Sequence, residues 1–295
     1  MQPNPSDSET IRALLSEAEH SLVEGPQGER ARRDAETLLL HVLKKDAPDT
    51  NLAWLIAHGY ETLPAHATAD FRTWVERRRS GEPIQYITGE AEFYGLSFKV
   101  NRDVLIPRPE TEFLVEKAIE LARGFERKRI VDVGTGSGAI AVALASNLPA
   151  ADIHATDDSA SALRVARANA KRHGAEARVI FRVGDLLTPV AGRRFDLIVS
   201  NPPYVAEGDR DSLSAEVRDY EPAQALFAGA DGLAIYRRLI PAAFAALFHE
   251  RYLALEIGFG QQPAVEALLA GAGYTEIEFT KDLQGIPRVA VAQRP

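Results

Sequence analysis

The sequence predicts an α/β chain: a Rossmann-like, seven-stranded sheet ending in an antiparallel hairpin, preceded by a small helical bundle and a β-hairpin. From residue 129 onward, apolar strand-like runs alternate with helical stretches. That is the pattern of a largely parallel sheet with helices on both faces. The last two runs, 274–280 and 287–293, are joined only by Lys281–Ile286. A parallel crossover needs about a dozen residues or more, so these two strands must be antiparallel. Residues 10–80 instead carry apolar residues at helical spacing.

Along the chain, Ile11, Leu14, Leu15, Ala18 and Leu22 mark a first helix, which Gly25-Pro26-Gln27-Gly28 breaks. Ala35, Leu38, Leu39, Val42 and Leu43 form a second apolar face. Asn51–Ala57 and Ala67–Arg78 supply shorter helices, with Trp54 and Trp74 expected in their core. Glu76-Arg77-Arg78-Arg79 reads as a solvated helix end, its cations favoured by the helix carboxyl terminus. Nothing in this bundle resembles a catalytic constellation. Around Gly95, Glu92-Phe93-Tyr94 and Leu96-Ser97-Phe98-Lys99-Val100 alternate apolar with polar, a β-hairpin signal. Pro107 and Pro109 then stiffen the entry to a helix over Thr111–Ala122. Further strands are expected at 129–133, 152–156, 178–183, 195–200 and 251–257. The resulting division is a helical domain over 1–80, a hairpin linker over 81–106 and the α/β domain over 107–295.

Three motifs carry chemistry. Asn201-Pro202-Pro203-Tyr204 follows the apolar run Phe195–Ser200. Its prolines end the strand and fix the backbone. An amide and an aromatic ring are left at the carboxyl end of a strand, where ligands of open α/β sheets bind. The amide offers both an acceptor and a donor, which suits a small planar group such as an amide or an amino-purine edge. Gly134-Thr135-Gly136-Ser137-Gly138 lies in the turn between the strand Arg129–Val133 and a helix over Ala139–Leu148. Glycines there let a ligand approach the backbone, and the helix amino terminus favours an anion. Gly134, Gly136 and Ala139 also satisfy a dinucleotide pattern. An ordinary dinucleotide domain would be all parallel, however, and the terminal hairpin opposes it. Asp157, at the end of the next strand, can accept the hydroxyls of a ribose or cap the following helix, as can Asp158 and Ser159. Residues 206–220 read as either a mobile flap or a connecting loop.

Composition narrows the classes. The formal charge of −8 opposes a duplex-binding protein that relies on general electrostatics. Cysteine is absent, which excludes disulfides and thiolate metal sites. The seven histidines lack metal-ligand spacing and are expected at the surface or in caps, so no metal is expected. Met1–Glu9 is polar and has no signal-peptide character, and no apolar run approaches membrane-spanning length. A cytoplasmic monomer, with no nucleic-acid or membrane partner, is the expectation.

Together, the glycine turn after Asp132, Asp157 and Asn-Pro-Pro-Tyr resemble S-adenosyl-L-methionine-dependent methyltransferases. Further segments narrow the likeness: Asp34–Leu43, Pro83–Gly89, Glu92–Gly95, Leu105–Glu112, Glu221-Pro222, Asp231-Gly232-Leu233 and Glu256-Ile257-Gly258. On these, spread over residues 30–295, the chain resembles the PrmC/HemK family of release factor glutamine methyltransferases. The antiparallel terminal hairpin is the class I methyltransferase pattern. Asn-Pro-Pro-Tyr alone is shared with nucleic-acid amino methylases, whereas Ile106-Pro107-Arg108-Pro109-Glu110-Thr111-Glu112 is more specific.

The resemblance implies a site and a substrate. Gly134–Gly138 would hold the methionine portion of the cofactor and Asp157 its ribose. Asp185 would lie beside the adenine, or instead cap the following turn, and Leu186 would pack on the ring. Asn201 and the Pro202 carbonyl would each accept one N–H of the acceptor, with Pro203 and Tyr204 completing the acceptor site and Tyr204 stacking on the planar group. The substrate implied is the glutamine of the Gly-Gly-Gln motif in class I peptide release factors, with S-adenosyl-L-homocysteine as co-product. A ribosomal-protein glutamine methyltransferase is the nearest alternative, although such relatives typically show Pro-Arg-Ser-Pro where this chain has Pro107-Arg108-Pro109-Glu110. An adenine-N6 nucleic-acid methyltransferase, a nicotinamide oxidoreductase and a non-enzymatic module that kept the fold stand further off.

Overall fold

A computed structural model describes residues 9–126 and 128–295; most of the polar amino terminus considered above lies outside them. In chain order, the first elements are helices α1 (Ile11–Val23), α2 (Ala31–Lys44), α3 (Leu52–Ala57), α4 (Ala65–Arg79) and α5 (Ile84–Thr88). Strands β1 (Glu90–Phe93) and β2 (Leu96–Lys99) precede α6 (Thr111–Arg123). Then come β3 (Arg129–Val133), α7 (Ala139–Asn147), β4 (Asp152–Asp157), α8 (Ala160–Arg172), β5 (Val179–Val183) and β6 (Phe195–Ser200). The chain closes with α9 (Ala215–Tyr220), α10 (Ala234–Ala246), β7 (Leu247–Glu256), α11 (Gln262–Gly271), β8 (Thr275–Lys281) and β9 (Pro287–Arg294).

The chain forms two compact units, one of residues 1–89 with 214–220, the other of 90–213 with 221–295. The division falls at Gly89 rather than at residue 80, and the segment expected as a linker is split by it.

The helical unit buries the periodic residues read from sequence: Ile11, Leu14, Leu15, Leu38, Leu39 and Phe71 form its core. Asn51 and Thr10 cap α3 and α1 through their side-chain oxygens. Trp54 and Trp74 pack against this core but are only partly buried. One expectation fails here. The basic end of α4 is not simply solvated: Arg78 is buried, donates to Asp34 at 2.6 Å and pairs with Glu216 of α9. Arg77 is fixed by a two-pronged bond to Glu82 at 2.8 and 2.9 Å. A guanidinium can be buried when carboxylates meet its fork, and two acids distant in sequence do so here.

The second unit holds a seven-stranded sheet of order β5-β4-β3-β6-β7-β9-β8. Neighbouring strands from β5 to β7 are parallel, and β9 is antiparallel to both β7 and β8. The alternation of side chains along a strand divides the core in two. Ile130 and Leu197 face α6 and α7, while Val131 and Ile198 face α10 and α11. Strands buried on both faces read as continuous apolar runs, which is why β6 is buried throughout. The β1–β2 hairpin packs into this unit: Phe93 and Phe98 join the α6–α7 core, and Asn169 of α8 bonds both the N–H and the carbonyl of Lys99. His154 departs from the surface role expected of histidines. It lies buried in β4, edge-on to Phe195, with Nδ1 lacking a partner.

Candidate active site

The parallel strands end together, and their carboxyl ends open into a cavity of about 280 Å³. Gly134 and Gly136 line it after β3, Asp157 at the end of β4, Asp185 and Leu186 after β5, and Asn201, Pro202 and Pro203 after β6. Leu105, Phe227 and Ile235 add apolar wall. The volume approaches the lower end of small-molecule sites, roughly 300 Å³.

The glycine turn explains why only two of its residues reach the cavity. Gly134 and Gly136 have φ of 73° and 54°, and a Cβ on either would meet nothing within 4 Å. They leave an open cradle where a ligand can approach the backbone. The Gly134 and Thr135 N–H groups both donate to the Thr156 carbonyl, which ties the turn to β4. Thr135, Ser137 and Gly138 are not on the wall. The Thr135 hydroxyl donates to Asp132 at 2.6 Å. Ser137 is buried, its carbonyl accepting from Asn169. Gly138 lies against α8, where an added Cβ would sit 3.1 Å from Ala166. Burial pushes the Asp132 carboxyl up to about 7, although the Thr135 bond opposes it.

Asp157 joins the glycine turn to α8. Its Oδ2 accepts from the Gly136 N–H at 2.8 Å and its Oδ1 from the Ser159 N–H at 2.9 Å. Burial raises its pKa despite those bonds. The cap of α8 is Ser159, which accepts from Ala162. Asp158 does not cap; it accepts from Gln224 at 2.7 Å. After β5, the Asp185 side chain pairs with Arg238 while its carbonyl receives the Thr188 N–H and hydroxyl. The turn is therefore closed by backbone rather than by the carboxylate. Leu186 takes a left-handed φ of 47° and packs against the α10–α11 core.

Asn201 is held by a residue that the sequence reading left without a role. Its Nδ2 donates to the Thr111 hydroxyl at 3.0 Å, which leaves its carbonyl oxygen to accept. Tyr204 does not line the cavity. Its hydroxyl donates to Glu256 at 3.3 Å, and its carbonyl accepts from Gln261 at 2.9 Å. Gly232, at φ 72°, presses on that carbonyl, and a Cβ there would lie 2.3 Å from it. Glu221 is buried, accepts from the Ile106 N–H at 3.2 Å and pairs with Arg108. Segments far apart in sequence thus converge on Asn-Pro-Pro-Tyr and the cavity wall beside it. Among the described residues, no group of acids and histidines is arranged to hold a metal ion.

The sheet order, the terminal hairpin and a glycine turn facing an acidic strand end define a class I S-adenosylmethionine-dependent methyltransferase. Residues 13–89 match the family model described as PrmC N-terminal domain, and residues 109–226 the Methyltransferase small domain. A release factor glutamine methyltransferase of Koribacter versatilis is 43% identical over 265 residues, covering 90% of this chain and 91% of its own length. Another from Moorella thermoacetica is 42% identical over 286 residues, covering 97% and 99%. Among solved structures, the hMettl16 catalytic domain in complex with a MAT2A 3′UTR hairpin aligns with TM-score 0.58 at 17% identity, over 87% of this chain and 91% of that one. That last likeness concerns the fold alone. The chain belongs to the release factor glutamine methyltransferase family.

Proposed function

We propose that this protein transfers a methyl group from S-adenosyl-L-methionine to the side-chain amide nitrogen of the glutamine in the Gly-Gly-Gln motif of class I peptide release factors. The observation that carries the chemistry is the orientation of Asn201: one N–H of its NH2 is held by Thr111, which points its oxygen away from that bond and leaves it to accept. An amide nitrogen is a poor nucleophile because its lone pair is delocalised. Two acceptors, the Asn201 oxygen and the Pro202 carbonyl, fix its N–H bonds and stabilise the positive charge that builds as the methyl arrives. Tyr204, which lies off the cavity wall, supports the acceptor site from behind through its bonds to Glu256 and Gln261. Pro202 is buried and Pro203 partly so, and they help exclude water.

The cavity suits the cofactor. Gly134 and Gly136 offer backbone without obstruction to the methionine portion, Asp157 retains lone pairs for ribose hydroxyls, and Leu186 and Leu105 give apolar wall for the adenine. Thr135, Ser137 and Gly138 contribute by shaping the turn. When bound, the cofactor supplies an electrophilic methyl on a sulfonium; the protein supplies alignment. No helix among the described residues is long and apolar enough to cross a membrane, and a monomer acting in the cytoplasm is part of this proposal.

The helical unit is assigned to partner recognition. It carries no chemical motif, and Ile56 and Tyr60 stand largely exposed on it. Contacts remote from the reacting atom raise the rate by positioning it. Incubating the protein with methyl-labelled S-adenosylmethionine and a purified release factor tests the function, with label in the release factor as the expected result. Ile56→Ser with Tyr60→Ser should leave cofactor binding intact and weaken turnover of the intact factor; an unchanged rate would remove the helical unit from recognition.

A further inference from the structure

Glu256, the last residue of β7, is buried behind the Asn-Pro-Pro-Tyr segment. Its Oε1 accepts from the Tyr204 hydroxyl. The Thr111 hydroxyl accepts from Asn201, so its own proton is left for another acceptor, and the buried Glu256 carboxylate is the acid on which Thr111 acts. Oε2 has no partner. One buried carboxylate thus stands behind both ends of the tetrapeptide.

We propose that Glu256 is the positioning residue of the acceptor site: by accepting from Thr111 and from Tyr204, its carboxylate keeps the Asn201 oxygen free for the acceptor and holds the tetrapeptide in place. This rests on the reading of Asn201 as the group that receives the acceptor N–H. The chain of bonds also has an electrostatic sense. A negative charge behind Thr111 draws its proton and strengthens Thr111 as acceptor from Asn201. That polarisation raises the negative character of the Asn201 oxygen, which accepts the N–H of the nitrogen where positive charge develops in the reaction.

The groups around Glu256 set when it is charged. Thr111 and Glu110 face it from the start of α6, Tyr204 from the tetrapeptide, and Arg288 from β9. Tyr236 of α10 donates to its backbone carbonyl at 2.8 Å. Burial is the largest influence and Glu110 adds to it; Thr111, Tyr204 and Arg288 oppose, leaving the carboxyl pushed up to about 7. A carboxylate only accepts, whereas the protonated acid must donate through one oxygen. The arrangement therefore holds above that pH and loosens below it, giving kcat an acid limb near neutrality. Asp132, with a similarly raised carboxyl beneath the glycine turn, is the competing source of such a limb.

The test uses the full-length protein and Glu256→Gln. Cofactor affinity should stay within about twofold, while kcat for a release factor falls about 10- to 100-fold with KM little changed. An independent readout is the side-chain amide resonance of Asn201 in the 15N-labelled protein, assigned by its loss in Asn201→Ala. It should titrate near pH 7 in the wild type and in Asp132→Asn, and not in Glu256→Gln. Should Glu256→Gln fail to fold, Thr111→Val and Tyr204→Phe each cut one arm and should each lower kcat about tenfold. Wild-type kcat in Glu256→Gln, or in both single-arm variants, overturns the proposal, as does an Asn201 resonance that ignores pH. A wild-type protein inactive on release factors would instead sink the functional reading, and the resonance would still decide the role of Glu256.

Discussion

Asn201 donates its side-chain amide to the Thr111 hydroxyl at 3.0 Å, joining the carboxyl end of β6 to the first residue of α6. The bond decides which face of the amide is left for a ligand. With one N–H held by Thr111, the oxygen is left available to accept, as the proposed role toward an incoming N–H requires.

Asn201→Ala should therefore lower the methyl-transfer rate by about 100-fold or more, the usual scale for one preorganised polar group at a reacting centre. Cofactor affinity should remain nearly intact. Single-turnover kinetics with parallel calorimetry check both. Near-wild-type turnover in this variant would remove the tetrapeptide from the mechanism.

Asp157→Ala should weaken S-adenosylmethionine binding about 10- to 100-fold, since a hydrogen bond to a charged group contributes roughly 1.5–3 kcal/mol. Asp158→Ala loses only a bond to Gln224 on the same wall and should change affinity little. Calorimetric titration of the two proteins distinguishes them, and equal affinities would mean that the ribose lies elsewhere.

Arg78→Met tests the helical unit. The substitution leaves Asp34 buried and Glu216 without its partner. Breaking a buried ion pair from one side costs about 3–5 kcal/mol. Denaturant unfolding followed by tryptophan fluorescence suits the measurement, because Trp54 and Trp74 both pack on this unit's core. A loss below about 1 kcal/mol would show that the pair behaves as an exposed one.

These residues also show what was legible in the sequence. The short Lys281–Ile286 connection excludes a parallel crossover, so the terminal hairpin followed from chain length alone. The glycine turn and Asp157 announced themselves by composition at a strand end, and the cavity lies beside them. Arg78 was not legible. An arginine run at a helix end looks solvated, and the acids that bury it lie at positions 34 and 216. His154 was missed because one polar residue within an apolar strand gives no sign of facing inward. Thr111 and Glu256 stood inside segments that carried the family resemblance, yet neither spacing nor residue type tied them to Asn201 and Tyr204. Only the fold brings those four together. Likewise Gly232 shows its purpose only when Tyr204 is seen 2.3 Å from where its Cβ would be.

The central claim is methylation of an amide nitrogen on a release-factor glutamine. Tandem mass spectrometry of a release factor, digested after incubation with the protein and S-adenosylmethionine, addresses it directly. The account predicts a gain of one methyl group, about 14 daltons, on the Gly-Gly-Gln peptide, placed by fragmentation on the glutamine side chain and absent when Asn201→Ala replaces the wild type. A methyl group found on any other residue, or an unmodified Gly-Gly-Gln peptide from an incubation with folded, cofactor-binding protein, would contradict it.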